Sequence, residues 1–210
     1  ATHAPLRTDM EFQRVYAAIR QHTMVDIYRC YELWMLAAQN QHLQGDVIEV
    51  GVWRGGSGCL IASRLQQLGS TARVYLCDTF RGMVKTSDRD PLYRGGELAD
   101  TSARIVEDLA RSQHLSNVEV CPGIFPDESA HLVPAGSVRL CHIDVDVYDS
   151  ARDVLAWVWP KMPVGAMVVY DDYGFPTCAG VTAHVDEQRS MGDRVVIHNL
   201  NGHGIVIKTA

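Results

Sequence analysis

The sequence lacks several features that mark particular classes of protein. No apolar stretch in its 210 residues reaches the length of a membrane span, and the amino terminus lacks the charged-then-apolar pattern of a secretory signal. The 19 basic residues are outnumbered by 25 acidic ones and form no basic stripe, which argues against nucleic acid as a partner. We therefore expect a cytoplasmic protein that binds neither membranes nor nucleic acid.

Metal-binding cysteine pairs and internal repeats are also absent. The six cysteines are scattered without C-x-x-C spacing, and four lie in or beside apolar runs, which is typical of buried thiols in a reducing compartment. There are no repeats, biased segments or interdomain linkers. With 47% hydrophobic residues, the chain is expected to form a single domain over residues 1–210.

Two apolar runs each end in a pair of acids. Asp144 and Asp146 end the first, and Asp171 and Asp172 end the second. Because side chains alternate along a strand, Asp144 and Asp146 should point the same way at its carboxyl end, where open α/β sheets bind ligands. Four carboxylates gathered there would need a hard cation to stay ionised together. The pattern predicts a site for metal binding or proton transfer.

A glycine-rich turn follows the strand predicted over residues 46–51. Such a turn brings the backbone close to a ligand and presents the N–H groups of the next helix to it. Trp53 occupies the second glycine position of G-x-G-x-x-G, which disfavours a dinucleotide. Glu49 suits a cationic amine, and Asp78, after the second strand, is placed to bind ribose hydroxyls. Together these features favour S-adenosylmethionine as the cofactor.

The order of predicted elements indicates an α/β fold. Two amphipathic helices near the amino terminus are expected to cover the sheet as part of a 1–42 segment, with Thr23, Met24 and Tyr28 as candidates to border a pocket. A β-α order repeated five times and a terminal hairpin then predict a doubly wound, mainly parallel Rossmann-like sheet with a C-terminal antiparallel hairpin. The polar stretch 81–101 has no periodicity and is predicted to be a lid.

Two residues leave alternatives open. Phe125 lies in a loop that would either touch an adenine edge or pack a tight turn. His142 lies two residues before Asp144 and competes with Asp146 as a base, although its apolar neighbours favour a structural histidine in the core.

Four segments resemble the macrocin O-methyltransferase family, the metal-dependent sugar methyltransferases of antibiotic biosynthesis. They are GDVIEVGVWRGGS, DTFRG, HIDVDVYDS and VYDDYG, and the likeness runs in order from about residue 23 to 208. The resemblance implies that Asp144, Asp171 and Asp172 hold Mg²⁺ or another divalent cation and that Asp146 is the general base. It further implies a methyltransferase sheet in which Glu49, Gly51 and the following turn (Trp53, Arg54, Gly55 and Ser57) hold the methionine part of the cofactor and Asp78 the ribose. The predicted cofactor contacts also include Thr79, Phe125 and Asp144.

The implied reaction is methyl transfer from S-adenosylmethionine to a hydroxyl of a sugar-bearing small molecule, by an enzyme that could form a homo-oligomer. Three other functions stay open at this point. A catechol or other vicinal diol would present the same two oxygens to a metal ion. The Asp144-Val-Asp146 motif could hold the divalent ion of a glycosyltransferase. The fold could also serve as a non-catalytic cofactor-binding module.

Overall fold

A seven-stranded sheet runs through the computed structural model, which describes residues 3–210. The strands are β1 (Asp46–Val50), β2 (Val74–Asp78), β3 (Val118–Pro122), β4 (Val138–Ile143), β5 (Met167–Tyr170), β6 (Arg194–His198) and β7 (Gly204–Lys208). Their order across the sheet is β3-β2-β1-β4-β5-β7-β6. The first five strands are parallel, and β7 runs antiparallel to both β5 and β6. The predicted doubly wound sheet with a C-terminal antiparallel hairpin is confirmed.

Six α-helices accompany the sheet within residues 3–210. They are α1 (Met10–Ile19), α2 (Ile27–Gln39), α3 (Gly56–Gln67), α4 (Ala103–Ser112), α5 (Tyr148–Val158) and α6 (Ala179–Gln188). Side chains cap the first two, since Asp9 accepts a hydrogen bond from the Phe12 N–H and Asp26 accepts from the N–H groups of Tyr28 and Arg29. No helix in the described part of the chain is long and apolar enough to cross a membrane.

The two faces of the sheet bury separate cores. Alternate residues of β1 divide between them, with Val47 in one core and Ile48 in the other. Apolar side chains of α1, α2, α3 and α4 cover the first face. Those of α5 and α6, with the segment that follows β3, cover the second.

One part of the predicted order was wrong. The connection from β3 to β4 contains no α-helix, and its only helical piece is the short 3₁₀ turn Ala130–Leu132. Gly123, with φ of +128°, and Pro122 stand at its start, and neither favours a continuous helix.

The sheet reverses its winding between β1 and β4. The strands β2 and β3 extend from one side of this point, and β4 and β5 extend from the other. Connections therefore leave in opposite directions and open a crevice at the carboxyl ends of the central strands, which is where ligands bind in sheets of this type.

Candidate active site

A cavity of about 230 Å³ lies at that crevice. Its walls come from the residues that follow β1, β2, β3, β4 and β5, and from the start of α2 with the residues just before it. Asp144, Asp146, Asp171 and Asp172 all line it. The four acids predicted from the sequence are therefore brought together.

The two acids after β4 occupy different conformations. The Asp144 N–H donates to the Val50 carbonyl at 2.9 Å and so continues the pairing with β1. Asp146 has a φ of 62° and has left the extended conformation. Its N–H donates to Asp172 Oδ2 at 3.2 Å. The alternation of side chains along a strand therefore predicted that both acids lie at the site, but it did not predict the turn in the backbone at Asp146.

Three carboxylates can share a cation. Asp144, Asp171 and Asp172 each offer one oxygen, and these oxygens all lie within 4.8 Å of one another. Burial, and then the neighbouring acids, raise the pKa values of Asp144 and Asp172 well above those of ordinary carboxyls. A set of hard carboxylate oxygens fits Mg²⁺ or a similar divalent ion.

Asp171 has a different environment from its neighbours. Its Oδ2 accepts a hydrogen bond from the buried Arg29 guanidinium, and its Oδ1 lies 3.0 Å from His203 Nε2 and 3.4 Å from His142 Nε2. Burial would raise the pKa of Asp171, but the hydrogen bonds and charges of His142 and His203 hold it below the ordinary carboxyl value. The protein itself therefore compensates the charge of this one carboxylate.

Asp146 is held by neutral donors. The Tyr93 hydroxyl donates to its Oδ1 at 3.0 Å, and the Cys178 thiol lies 3.5 Å from the same oxygen. Burial raises the pKa of Asp146, although these two hydrogen bonds oppose the shift. Within residues 3–210 its Oδ2 has no hydrogen-bond partner, so this oxygen is free to receive a proton.

The other end of the cavity is built around Asp78. Its carboxylate accepts from the Trp53 N–H at 2.8 Å and from the Phe80 N–H at 2.7 Å. Trp53 and Phe80 both have positive φ, at 47° and 52°, so these bonds hold two unfavourable backbone turns in place. Gly51 is constrained as well, because a Cβ there would lie 1.7 Å from the Asp144 carbonyl oxygen.

Most of the predicted cofactor residues line the cavity. They are Gly51, Trp53, Ser57, Asp78, Thr79, Phe125 and Asp144. Thr23 and Met24 line it too, whereas Tyr28 does not. Arg54 and Gly55 are not in its wall. The Arg54 guanidinium stacks 4.4 Å from the Trp53 ring and pairs with Asp100, while Gly55 packs against Val106.

Glu49 is also outside the cavity wall. It is fully buried, and its Oε1 lies 2.7 Å from His142 Nδ1, while its Oε2 has no partner. The structure therefore gives no support to a direct contact between Glu49 and a cationic amine. His142, also fully buried, lies behind Asp171. Burial lowers its pKa, but hydrogen bonds to Asp171 and Glu49 raise it to about 9, so His142 is poorly suited to act as a base.

Sequence reasoning missed three cavity or neighbouring residues. Arg29 reaches Asp171 across 142 positions of sequence, and no local pattern links the two. Tyr93 lies in the 81–101 segment, which has no periodicity, and nothing in the sequence distinguishes Cys178 from the other five cysteines. The signal available in the sequence was an arginine on the otherwise apolar face of α2, beside Cys30 and Leu33.

The 81–101 segment contacts the site at several points. Gly82, Met83, Val84 and Leu98 line the cavity. Asp90, only 1% exposed, accepts a hydrogen bond from the Tyr148 N–H at the start of α5, at 2.9 Å. Gly180 leaves room for this carboxylate, because a Cβ there would lie 2.0 Å from Asp90 Oδ1. The segment is thus anchored directly beside the acids that precede α5.

Solved structures of O-methyltransferases have the same fold as this chain. The O-methyltransferase NovP is 27% identical, with a TM-score of 0.79 over 90% of this chain and 83% of that one. The O-methyltransferase TomG from Streptomyces achromogenes, which is involved in tomaymycin synthesis and was crystallised with SAM, is 14% identical. It has a TM-score of 0.58 over 96% and 91% of the two chains, which shows a shared fold.

Comparison with characterised proteins gives the family. The 8-demethyl-8-(2,3-dimethoxy-alpha-L-rhamnosyl)-tetracenomycin-C 4'-O-methyltransferase of Streptomyces olivaceus is 31% identical over 75% of this chain, which spans 64% of that protein's length. The mycinamicin III 3''-O-methyltransferase of Micromonospora griseorubida is 27% identical over a region that covers 83% of this chain and 74% of that enzyme. A model of the macrocin-O-methyltransferase (TylF) family matches residues 14–204. The chain belongs to the macrocin-O-methyltransferase (TylF) family of O-methyltransferases.

Proposed function

We propose that this protein transfers a methyl group from S-adenosylmethionine to a hydroxyl of a sugar-bearing small molecule, with the help of a divalent cation. The observation that carries the proposal is the group of three carboxylate oxygens within 4.8 Å of one another, in the wall of the same cavity as Asp146 and Asp78. The family supports the reaction class.

Different residues of the cavity wall would bind each part of the cofactor. Asp78 would bind the ribose hydroxyls, and Phe125 would offer an apolar surface to the adenine. Gly51 and Trp53, in the turn before α3, and Ser57, at the start of that helix, would border the methionine part, and Asp144 would lie near its amine. The crystallised complex of TomG with SAM supports this choice of cofactor for the fold.

Asp144, Asp171 and Asp172 would hold the cation. When bound, a divalent ion at this place supplies a Lewis acid that lowers the pKa of the acceptor hydroxyl and fixes its position. Asp146 would then accept the hydroxyl proton on Oδ2, since Tyr93 and Cys178 engage only its Oδ1. Methyl transfer is an in-line displacement, so alignment of the two reactants is the remaining task of the cavity.

The sugar-bearing acceptor is inferred from the relatives. The tetracenomycin enzyme is named for a rhamnosyl substrate, and the Streptomyces niveus relative is a demethyldecarbamoylnovobiocin O-methyltransferase. A catechol would satisfy the same two-oxygen geometry at a metal ion. Family membership favours the glycoside, and it places this chain with methyltransferases rather than with nucleotide-sugar glycosyltransferases.

Calorimetric titration with S-adenosylhomocysteine, with and without MgCl₂, tests the proposal most directly. We expect saturable binding of one equivalent, whereas uridine diphosphate should give no signal under the same conditions. A screen of glycosides and catechols with methyl-labelled S-adenosylmethionine then identifies the acceptor class. Binding of uridine diphosphate in place of S-adenosylhomocysteine would contradict the proposed function.

A further inference from the structure

One buried cluster near the site has no part in the reaction as described so far. Glu32, on α2, has a side chain that is only 17% exposed. Its carboxylate accepts hydrogen bonds from the side chains of Asn199 and Asn201, and it lies 2.5 Å from His203 Nδ1. All three partners belong to the turn between β6 and β7. Three contacts from one carboxylate to one short turn fix that turn against α2.

His203 connects this cluster to the cavity. It is fully buried, and each of its ring nitrogens faces a carboxylate oxygen. Nδ1 faces Glu32, while Nε2 lies 3.0 Å from Oδ1 of Asp171. Glu32 therefore sets the orientation of the imidazole ring, and the ring in turn contacts one of the three carboxylates that can share a cation.

The turn itself is held tightly. The Asn199 N–H donates to the His203 carbonyl at 2.9 Å, and the His203 N–H donates to Asn201 Oδ1 at 3.0 Å. Gly202 has a φ of +106°, and a Cβ there would lie 2.5 Å from the ring of Phe175, a cavity residue. The turn therefore packs against the cavity wall and leaves His203 little freedom to move away from Asp171.

Arg29 completes the arrangement from the other side. It contacts Asp171 Oδ2 and also donates to the Asp171 carbonyl at 3.1 Å. The Arg29 and Glu32 side chains both come from α2, three positions apart, and so lie on neighbouring parts of one helical face. Side chains of α2 thus hold both oxygens of Asp171. Arg29 contacts Oδ2 directly, and Glu32 acts on Oδ1 through His203.

We propose that Glu32 and His203 are positioning residues that orient the Asp171 carboxylate for the divalent cation. The inference rests on the metal site of the proposed function and adds residues that the site's three carboxylates do not include. Outer partners of metal ligands hold those ligands in the geometry that binding requires, and their loss typically weakens metal affinity by about 10- to 100-fold. Among the other two carboxylates, Asp172 accepts one backbone hydrogen bond, from the Asp146 N–H. Asp171 is the ligand whose two oxygens are both held by buried side chains of the protein.

Mn²⁺ binding measured by electron paramagnetic resonance, in the presence of S-adenosylhomocysteine, tests this inference without an acceptor. We expect Glu32→Gln to weaken Mn²⁺ binding by about 10- to 100-fold, while S-adenosylhomocysteine affinity stays near wild type. Glu119→Gln, an exposed change on β3, is the matched control and should bind Mn²⁺ normally. Glu32→Asp keeps the charge on a shorter side chain, provides a milder second variant and should lose less affinity.

The outcomes separate the two proposals. A purely structural role for Glu32 would lower the melting temperature of Glu32→Gln and leave its Mn²⁺ affinity unchanged, and that result would overturn the inference while leaving the metal site intact. If the wild-type protein bound S-adenosylhomocysteine but no Mn²⁺, the metal site would be refuted, and the positioning role with it.

Discussion

Two sets of carboxylates lie side by side in this cavity, and the protein treats them differently. Asp171 contacts Arg29, and although burial would raise its pKa, His142 and His203 hold that pKa below the ordinary carboxyl value. Asp172 is buried and Asp144 is half-buried in the same wall, and desolvation and acidic neighbours raise the pKa values of both. The fold therefore compensates one of the three charges and leaves the other two in need of a cation from outside.

Asp146 represents a third environment. Its partners are a phenol and a thiol, which donate hydrogen bonds but bring no positive charge. These neutral donors lower the pKa of Asp146 by less than burial raises it, so Asp146 stays more basic than Asp171, which is paired with His142 and His203. The difference in surroundings thus assigns different tasks to acids that look equivalent in the sequence. The predictions below test this division.

The largest expected effect is on Asp146. Asp146→Asn keeps the shape of the side chain and removes the proton acceptor, so turnover should fall by about 10²- to 10⁴-fold. Binding of S-adenosylhomocysteine and Mn²⁺ should stay near wild type, because Asp146 is outside the three-carboxylate group. The measurement is transfer of labelled methyl to the acceptor found in the screen, with the exposed Asp108→Asn as a matched control. Wild-type turnover in Asp146→Asn would show that the base is another group.

A second prediction compares Asp171 with Asp144 directly. Asp171→Asn leaves Arg29 without its buried partner, and breaking a buried pair in this way costs about 3–5 kcal/mol. Asp144→Asn instead removes a carboxylate repelled by its neighbours, so the metal-free protein should gain about 1 kcal/mol. In a chain of this size the two variants should differ in melting temperature by roughly 10 °C or more.

Differential scanning fluorimetry of both variants in chelator-treated buffer makes this comparison. Both substitutions are isosteric and both sites line one cavity, so each variant serves as the control for the other. An equal loss of stability in the two proteins would contradict the distinction between compensated and uncompensated carboxylates.

The fold was largely readable from the sequence because its signals are local. The helical spacing of apolar residues marks α1 and α2, and the apolar runs ending in acids mark β4 and β5. The connection after β3 was the exception. Its residues pack into the core through Phe125 and Val133 without forming a helix. The sequence alone did not distinguish this non-helical connection from a helical one.

The candidate site was readable only in part. Acids at strand ends could be placed because parallel strands bring their carboxyl ends to one edge. The partners that make those acids different could not, since Arg29, Tyr93 and His203 reach them through tertiary contacts. Glu49 shows a limit of another kind. Its position in the strand predicts a ligand contact, and the neighbouring strand places His142 against its Oε1, a contact that no local pattern indicates.

The smallest expected effect concerns pH. An acid whose pKa is higher in the folded than in the unfolded state makes the protein lose stability as pH rises from the unfolded pKa, about 4, toward the folded one. The raised pKa values of Asp144 and Asp172 give the metal-free protein this behaviour. Asp171, whose pKa is lowered, contributes below this window. His142, whose pKa is raised to about 9, adds to the loss of stability as pH rises above its unfolded pKa of about 6.5.

Stabilisation by Mg²⁺ should therefore increase with pH, because the cation binds the ionised carboxylates and relieves their repulsion. Between about pH 5 and pH 8 we expect excess MgCl₂ to raise the free energy of unfolding by an increment that grows to about 2–3 kcal/mol. Melting temperatures recorded with and without MgCl₂ across this range measure the increment. In Asp144→Asn the increment should be smaller and flatter, since one of the two uncompensated charges is gone. An increment that shrinks as pH rises would mean that the cation is bound by groups other than these carboxylates.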